Sequence, residues 1–323
     1  MAKRQIAVGI DIGGTNTVFG LVDRDGKIIS EGVLKTREFD EIEVFVAALH
    51  EKVNVTLRKL GNSTELLGYG IGAPMGNIHN GTIEYPSNLP WKGIIPLADY
   101  FAKHTSHHVT VTNDANAAAV GEMVYGDAKG MKNFVVITLG SGLGSGFVVD
   151  GKLVYGANGF AGELGHTAIR PGASNRMCGC GRKGCLETYV SASGIKRTVL
   201  KIMADSIMDS ELRNLSFNEL NSKVIHSAAL KGDPIALEAF EHTGKMLGFK
   251  LADVVAHTDP EAIFLFGGLA LAKDLIFEPA REYMEQNLLS IYKGKVKLLP
   301  SGLSTHNAAV LGASSLVWSY KEI

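Results

Sequence analysis

The chain has few cysteines, almost no charge imbalance and no long apolar run, and each shortage excludes something. Three cysteines in 323 residues cannot staple a disulfide scaffold. Lys and Arg total 32 against 33 Asp and Glu, a formal charge of −1. That balance argues against nucleic acid or an anionic membrane as partner, since either favours a basic surface. The longest apolar stretch, residues 262–272, is broken by glycines and too short to span a bilayer. Met1-Ala2-Lys3-Arg4-Gln5 runs straight into a strand pattern, with no secretory leader. A cytoplasmic protein is expected, in which thiols stay reduced. There is no low-complexity segment and no obvious linker, and the length suggests two domains with sizeable cores.

The few cysteines are placed tightly. Cys178, Cys180 and Cys185 fall within eight residues, and His166 stands twelve positions before the first. Three thiolates and an imidazole form a closed tetrahedral zinc set, with no position left open for catalysis. Gly179, Gly181 and Gly184 let the loop turn back sharply enough for the sulfurs to converge. Buried free thiols, a redox pair with a spare thiol, or a disulfide plus one are the alternatives. Such a zinc ion would fix a loop and leave chemistry to other residues. Glu163 and Glu187 flank the cluster without being needed by it, which points to something bound beside it.

Residues 6–11, 18–22 and 27–34 read as a meander of three strands around Gly13-Gly14-Thr15-Asn16-Thr17. Helical spacing over 41–60 and a buried strand at 66–71 follow. Residues 77–96 read as a turn-rich loop over a site, carrying Asn88 and Trp91. A helix at 97–103 and a strand at 109–112 lead to Asn113-Asp114, which opens an alanine-rich helix. A second meander has strands at 134–139 and 147–150 with a glycine-rich turn over 140–146. Ile10-Asp11-Ile12-Gly13 aligns with Ile137-Thr138-Leu139-Gly140 at an offset of 127 residues. This is an internal duplication, and two such units facing each other would leave a cleft between two lobes. Helices are expected over 191–208, 222–230, 233–257, 269–286 and 307–320, with strands at 263–266 and 296–299. Asp233-Pro234 opens the third of these helices with a cap and a first-turn proline.

The two hairpins and Gly267-Gly268 are places where backbone N–H groups can approach an anion. No Lys-Ser or Lys-Thr follows at P-loop spacing, and strand-turn-strand is not the dinucleotide fingerprint. Hydroxyls at Thr15, Thr17, Ser141 and Ser145 inside two related hairpins favour phosphate over mere turns. Asp11 beside phosphate would repel it unless it held Mg²⁺. Asp114, at a strand-to-helix junction, is either a helix cap or a base that takes a proton from an attacking hydroxyl. Asn88, Asn113, Glu163, His166 and Glu187 supply the mixed donors and acceptors that a sugar needs.

These motifs together resemble the ROK family of sugar kinases and related repressors. The resemblance rests on Asp11-Ile12-Gly13-Gly14-Thr15, Asn113-Asp114-Ala115-Asn116-Ala117-Ala118, Leu139-Gly140-Ser141-Gly142-Leu143-Gly144, Glu163-Leu164-Gly165-His166 and the cysteine run ending in Leu186-Glu187. It implies an α/β actin-like, hexokinase-type ATPase fold and phosphorylation of a hexose by ATP with Mg²⁺. It implies Asp114 as the general base, and Asn88, Asn113, Asp114, Glu163, His166 and Glu187 around the sugar. His166 would serve zinc through its other nitrogen. Asp11, Gly13, Gly14, Thr15 and Asn16, then Gly140, Ser141 and Gly142, then Gly267 and Gly268, would face ATP. The small lobe is expected over 1–114 plus a helix at 306–323. The larger lobe, over 115–305, would carry the second hairpin, the zinc loop and a helical dimerisation region. A homodimer is what the family suggests. Family repressors carry a DNA-binding segment ahead of the first glycine loop, and Asp11 comes too early to leave room for one. The expected activity is that of a glucokinase. Fructose, mannose, N-acetylglucosamine and N-acetylmannosamine remain alternatives, as does a non-catalytic sugar sensor, because the polar set does not fix stereochemistry at each carbon.

Overall fold

The computed structural model describes residues 3–169, 176–303 and 308–319. In chain order the first unit holds β1 (Arg4–Ile12), β2 (Asn16–Asp23), β3 (Ile28–Lys35), α1 (Ile42–Leu60), β4 (Thr64–Gly72), β5 (Gly76–Asn77), β6 (Thr82–Glu84), β7 (Ile94–Ile95), α2 (Leu97–Ala102) and β8 (His108–Thr112). Then come α3 (Asp114–Tyr125), β9 (Phe134–Leu139), β10 (Leu143–Val149) and β11 (Lys152–Leu153). The rest is α4 (Ala192–Asp205), α5 (Ser222–Leu230), α6 (Pro234–Thr258), β12 (Ala262–Phe266), α7 (Asp274–Asn287), β13 (Lys297–Pro300) and α8 (Ala308–Ser319).

The duplication is visible in the sheets. One has the order β3-β2-β1-β4-β8 and the other β11-β10-β9-β12-β13. In both, the opening meander pairs antiparallel and the remaining strands are added parallel. Apolar residues of β1, β2, β4 and α1 make one core, with Phe19, Phe45, Tyr69 and Phe101 fully buried in it. A larger core joins β9 and β12 to α4, α5, α6 and α7. The helix α8 packs against β1, β2 and β4, and also against α3. Where α3 and α8 cross, Gly121 faces Gly312 so closely that a Cβ on Gly121 would lie 2.7 Å from the Gly312 Cα. The buried carboxylate of Glu122 ties α3 to the segment that follows β13, accepting from Ser301 and Gly302 as well as from the Asp127 N–H.

Three local expectations change. The second glycine turn is shorter than 140–146, because β10 begins at Leu143. Gly144 and Gly146 are strand residues that make room for α3, since a Cβ on either would come within 2.8 Å of Ala115 or Ala119. Residues 77–96 are not all loop: β5, β6 and β7 form a small three-stranded sheet. The helix expected over 269–286 is broken at Lys273, which adopts a positive φ of 49° between a short 3₁₀ turn and α7. Asn307 and Tyr320, the expected ends of the last helix, lie outside the described residues, as do 306 and 321–323 of the expected terminal segment.

Candidate active site

A cleft of about 360 Å³ opens between the two sheet units, and both contribute to its wall. Asp11 reaches it from β1, and Asn113 and Asp114 reach it from the junction of β8 with α3. Asn88 comes from the segment between β6 and β7. The opposite wall holds Glu163, His166 and Glu187, with Gly140, Ser141, Gly142 and Gly267 beside them. All the carboxylates singled out in the sequence therefore share one cleft.

The junction resolves which residue caps α3. Asn113 is extended, and its Oδ1 accepts from the Asn116 N–H at 2.6 Å. Asp114 is thereby released from capping and becomes the first helical residue. Its Oδ1 accepts from the Ala115 N–H at 2.8 Å. Asp114 is open to solvent within the cleft, whose walls desolvate its carboxyl in part. Burial raises its pKa, against the opposing Ala115 hydrogen bond. Asp11 faces it and is pushed up to about 7, first by burial and then by the Asp114 charge. Asp11 offers the kind of hard oxygen donor that would suit Mg²⁺. Burial also raises Glu163, with His166 working against the shift and Asp114 and Glu187 adding to it.

The His166, Cys178, Cys180 and Cys185 ligand atoms all lie within 4.8 Å of one another. Cys180 Sγ is 3.7 Å from Cys185 Sγ, and His166 Nδ1 is 3.7 Å from Cys178 Sγ. Those separations match the edge of about 3.8 Å in a tetrahedron with Zn–S bonds of about 2.3 Å. The donor set fits zinc. The other ring nitrogen, His166 Nε2, points back to Glu163 Oε2 at 3.9 Å. One imidazole thus joins the cysteine cluster to the cleft. Glu187 does the same from the other end: its Oε2 accepts from the Leu143 N–H at 3.0 Å, at the start of β10.

The first hairpin is placed differently. Gly13, Gly14, Thr15 and Asn16 are not part of this cleft's wall, although Asp11 is. Gly13 N–H closes the turn on the Asn16 carbonyl at 3.0 Å. Gly14 packs on the Asn88 backbone, where a Cβ would meet the carbonyl at 2.5 Å. Thr15 O accepts from the Thr36 N–H. Gly268 is also absent from the wall, whereas Gly267 lines it with a positive φ of 103°. Several wall residues escaped sequence reasoning, among them Ser87, Met75, Phe266 and Thr138. Thr138 carried a signal, because the duplication sets it opposite Asp11. Its Oγ1 accepts from the Gly144 N–H at 3.1 Å.

Paired sheets of one topology around a shared cleft define the actin-like, hexokinase-type ATPase fold. Within that class the chain belongs to the ROK family, whose model matches residues 7–319. It is 33% identical over 315 residues to a glucokinase of Halalkalibacterium halodurans, covering 96% of this chain and 94% of that one. A ROK family glucokinase from Streptomyces griseus, solved with glucose and AMPPNP, superposes with a TM-score of 0.80 at 30% identity. That match covers 96% of this chain and 98% of the other. A ROK family transcriptional regulator superposes with a TM-score of 0.85 at 26% identity, covering 97% of this chain and 77% of the regulator.

Proposed function

We propose that the chain is a glucokinase, transferring the γ-phosphoryl group of ATP to the 6-hydroxyl of glucose. The observation that carries this reading is the arrangement of one cleft. A base candidate, Asp114, shares its wall with Asp11 and with the polar set Glu163, His166 and Glu187, and its charge acts on both Asp11 and Glu163. The relatives named glucokinase support it over nearly the full length of this chain. Asn88, Asn113, Glu163, His166 and Glu187 bind and orient the hydroxyls. Asp114 takes the proton of the 6-hydroxyl as that oxygen bonds to the γ-phosphorus and the bond to ADP breaks. Its raised pKa brings it nearer the working pH than an ordinary carboxylate and makes it a stronger base toward the hydroxyl proton. The hairpin amides near Gly13, Gly14, Thr15 and Asn16, those of Gly140, Ser141 and Gly142, and the Gly267-Gly268 turn hold the nucleotide. The first hairpin reaches phosphate when the lobes close and exclude water. Asp11 would hold Mg²⁺, which would supply neutralisation of the phosphate charge. His166, Cys178, Cys180 and Cys185 would hold zinc and so fix the loop that presents Glu163 and Glu187.

The lobes are taken as 1–114 with the terminal helix, and 115–305. A cytoplasmic homodimer completes the reading; no helix of the described residues is long and apolar enough to cross a membrane. The likeness to a regulator keeps a second reading in play, a sugar-binding protein without turnover. ADP release measured over glucose, fructose, mannose and the N-acetylated amino sugars separates the two. Glucose is expected to give the highest kcat/KM, and no turnover with any sugar would favour the sensor. Asp114→Asn is expected to cut kcat by at least about 10³-fold while sugar binding, read by calorimetry, persists. Near-normal turnover of that variant would refute the base assignment.

A further inference from the structure

Away from the α3–α8 crossing, the two units meet a second time. The β5–β6 hairpin of the first unit lies against residues 155–162 of the second, the loop that leads into Glu163. Asn77, 2% exposed, is the centre of the contact. Its Nδ2 donates to the Asn158 carbonyl at 3.0 Å and to Glu84 Oε1 at 2.9 Å, and its Oδ1 accepts from the His79 N–H at 3.0 Å. Gly159 sits on that side chain with a φ of +81°, where a Cβ would be 2.3 Å from the Asn77 oxygen. His79 Nε2 is 2.9 Å from the Gly156 carbonyl. A carbonyl only accepts, so Nε2 carries the hydrogen. The His79 ring also stands edge-on to Tyr155, with centroids 6.3 Å apart.

From this contact the loop runs directly to the cleft. Ala161 N–H closes on the Tyr155 carbonyl at 2.9 Å. Ser145 Oγ donates to the Gly162 carbonyl and accepts from the Leu164 N–H, bracketing Glu163. On the other side the hairpin begins immediately after Pro74 and Met75, which line the cleft. A burial as complete as that of Asn77 is costly unless its polar atoms are matched; Glu84 and His79 match two of them within the hairpin, and the Asn158 carbonyl matches the third across the junction.

We propose that Asn77 and His79 are positioning residues for the sugar half of the site, acting through the 155–162 loop on the Glu163 carboxylate. The inference rests on the sugar-kinase reading and adds to it a latch between the units. The latch touches neither Asp114 nor the glycine hairpins, so its loss acts on sugar affinity and spares nucleotide affinity and turnover. A merely structural role would shift all three together with Tm.

The test compares Asn77→Ala, His79→Ala and His79→Gln in the full chain. Steady-state kinetics gives kcat and both KM values, and calorimetry gives the glucose Kd. Glucose KM and Kd are expected to rise about tenfold in the two alanine variants, the scale of one or two lost hydrogen bonds. ATP KM and kcat should stay within about twofold, and His79→Gln, which keeps a donor, should recover most of the affinity. Unchanged glucose affinity in folded variants, or an ATP KM that rises in parallel, would overturn the proposal. If Asn77→Ala does not fold, the solvent-facing His79 pair still decides. A wild-type protein that binds glucose without releasing ADP would defeat the kinase reading alone, because the latch is still read from Kd.

Discussion

Asp11 holds a charge that the folded chain resists. Its pKa is raised from 3.8 to about 7, so the native state binds a proton that the unfolded chain has released. Stability from this group is full below the unfolded pKa and is lost as pH rises through about 7. Asp11→Asn should therefore raise Tm at about pH 8 in the absence of Mg²⁺, by about 5 °C, and have little effect near pH 4. Scanning calorimetry at both pH values checks this, and a variant less stable than wild type at the higher pH contradicts it. The same variant should lose activity, because an amide cannot replace a charged metal ligand. Asp114, as the proposed base, likewise works in its charged form. Activity is expected to fall on the acid side with an apparent pKa above the ordinary carboxylate range, readable from kcat/KM against pH.

Among the elements, the cysteine loop has the clearest demand. His166 and Glu187 tie it to Glu163 and to β10, so its collapse would reach the cleft. Stripping metal with a chelator, or replacing Cys180 by Ser, should lower Tm by about 5 °C or more and weaken glucose binding. Metal-free protein with unaltered Tm and affinity would show that the loop needs no ion. This loop was legible in the sequence because its ligands are local. β1, β9 and α5 were legible for the same reason, since periodicity and punctuation lie within each segment. The start of β10 was not. Gly144 and Gly146 look like turn residues until α3 is seen packed against them. Two- and three-residue strands such as β5 and β6 carry too little pattern to read. The Asn77 latch joins positions about eighty residues apart, and no local pattern announces it.

At the scale of the molecule, one glycine pair sets how the halves meet. A Cβ on Gly312 would lie 2.7 Å from the Ala117 carbonyl, inside the α3–α8 crossing. Gly312→Val should force the helices apart and move Asp114 relative to β1. The expected cost is about 2–3 kcal/mol in denaturant unfolding, with a fall in kcat exceeding any change in glucose Kd. A fully active, equally stable variant would mean that the crossing tolerates separation. The duplication itself was foreseen from the Asp11 and Thr138 alignment, and the matching strand orders bear it out.

The placement of α8 has a consequence for synthesis. The first sheet is translated early, but the helix that covers β1, β2 and β4 is the last described element to leave the ribosome. Until then that face of the sheet stays uncovered, so the nascent chain is expected to lean on chaperones that shield grease. The second half is complete sooner, and it should be the first to resist protease on a stalled ribosome.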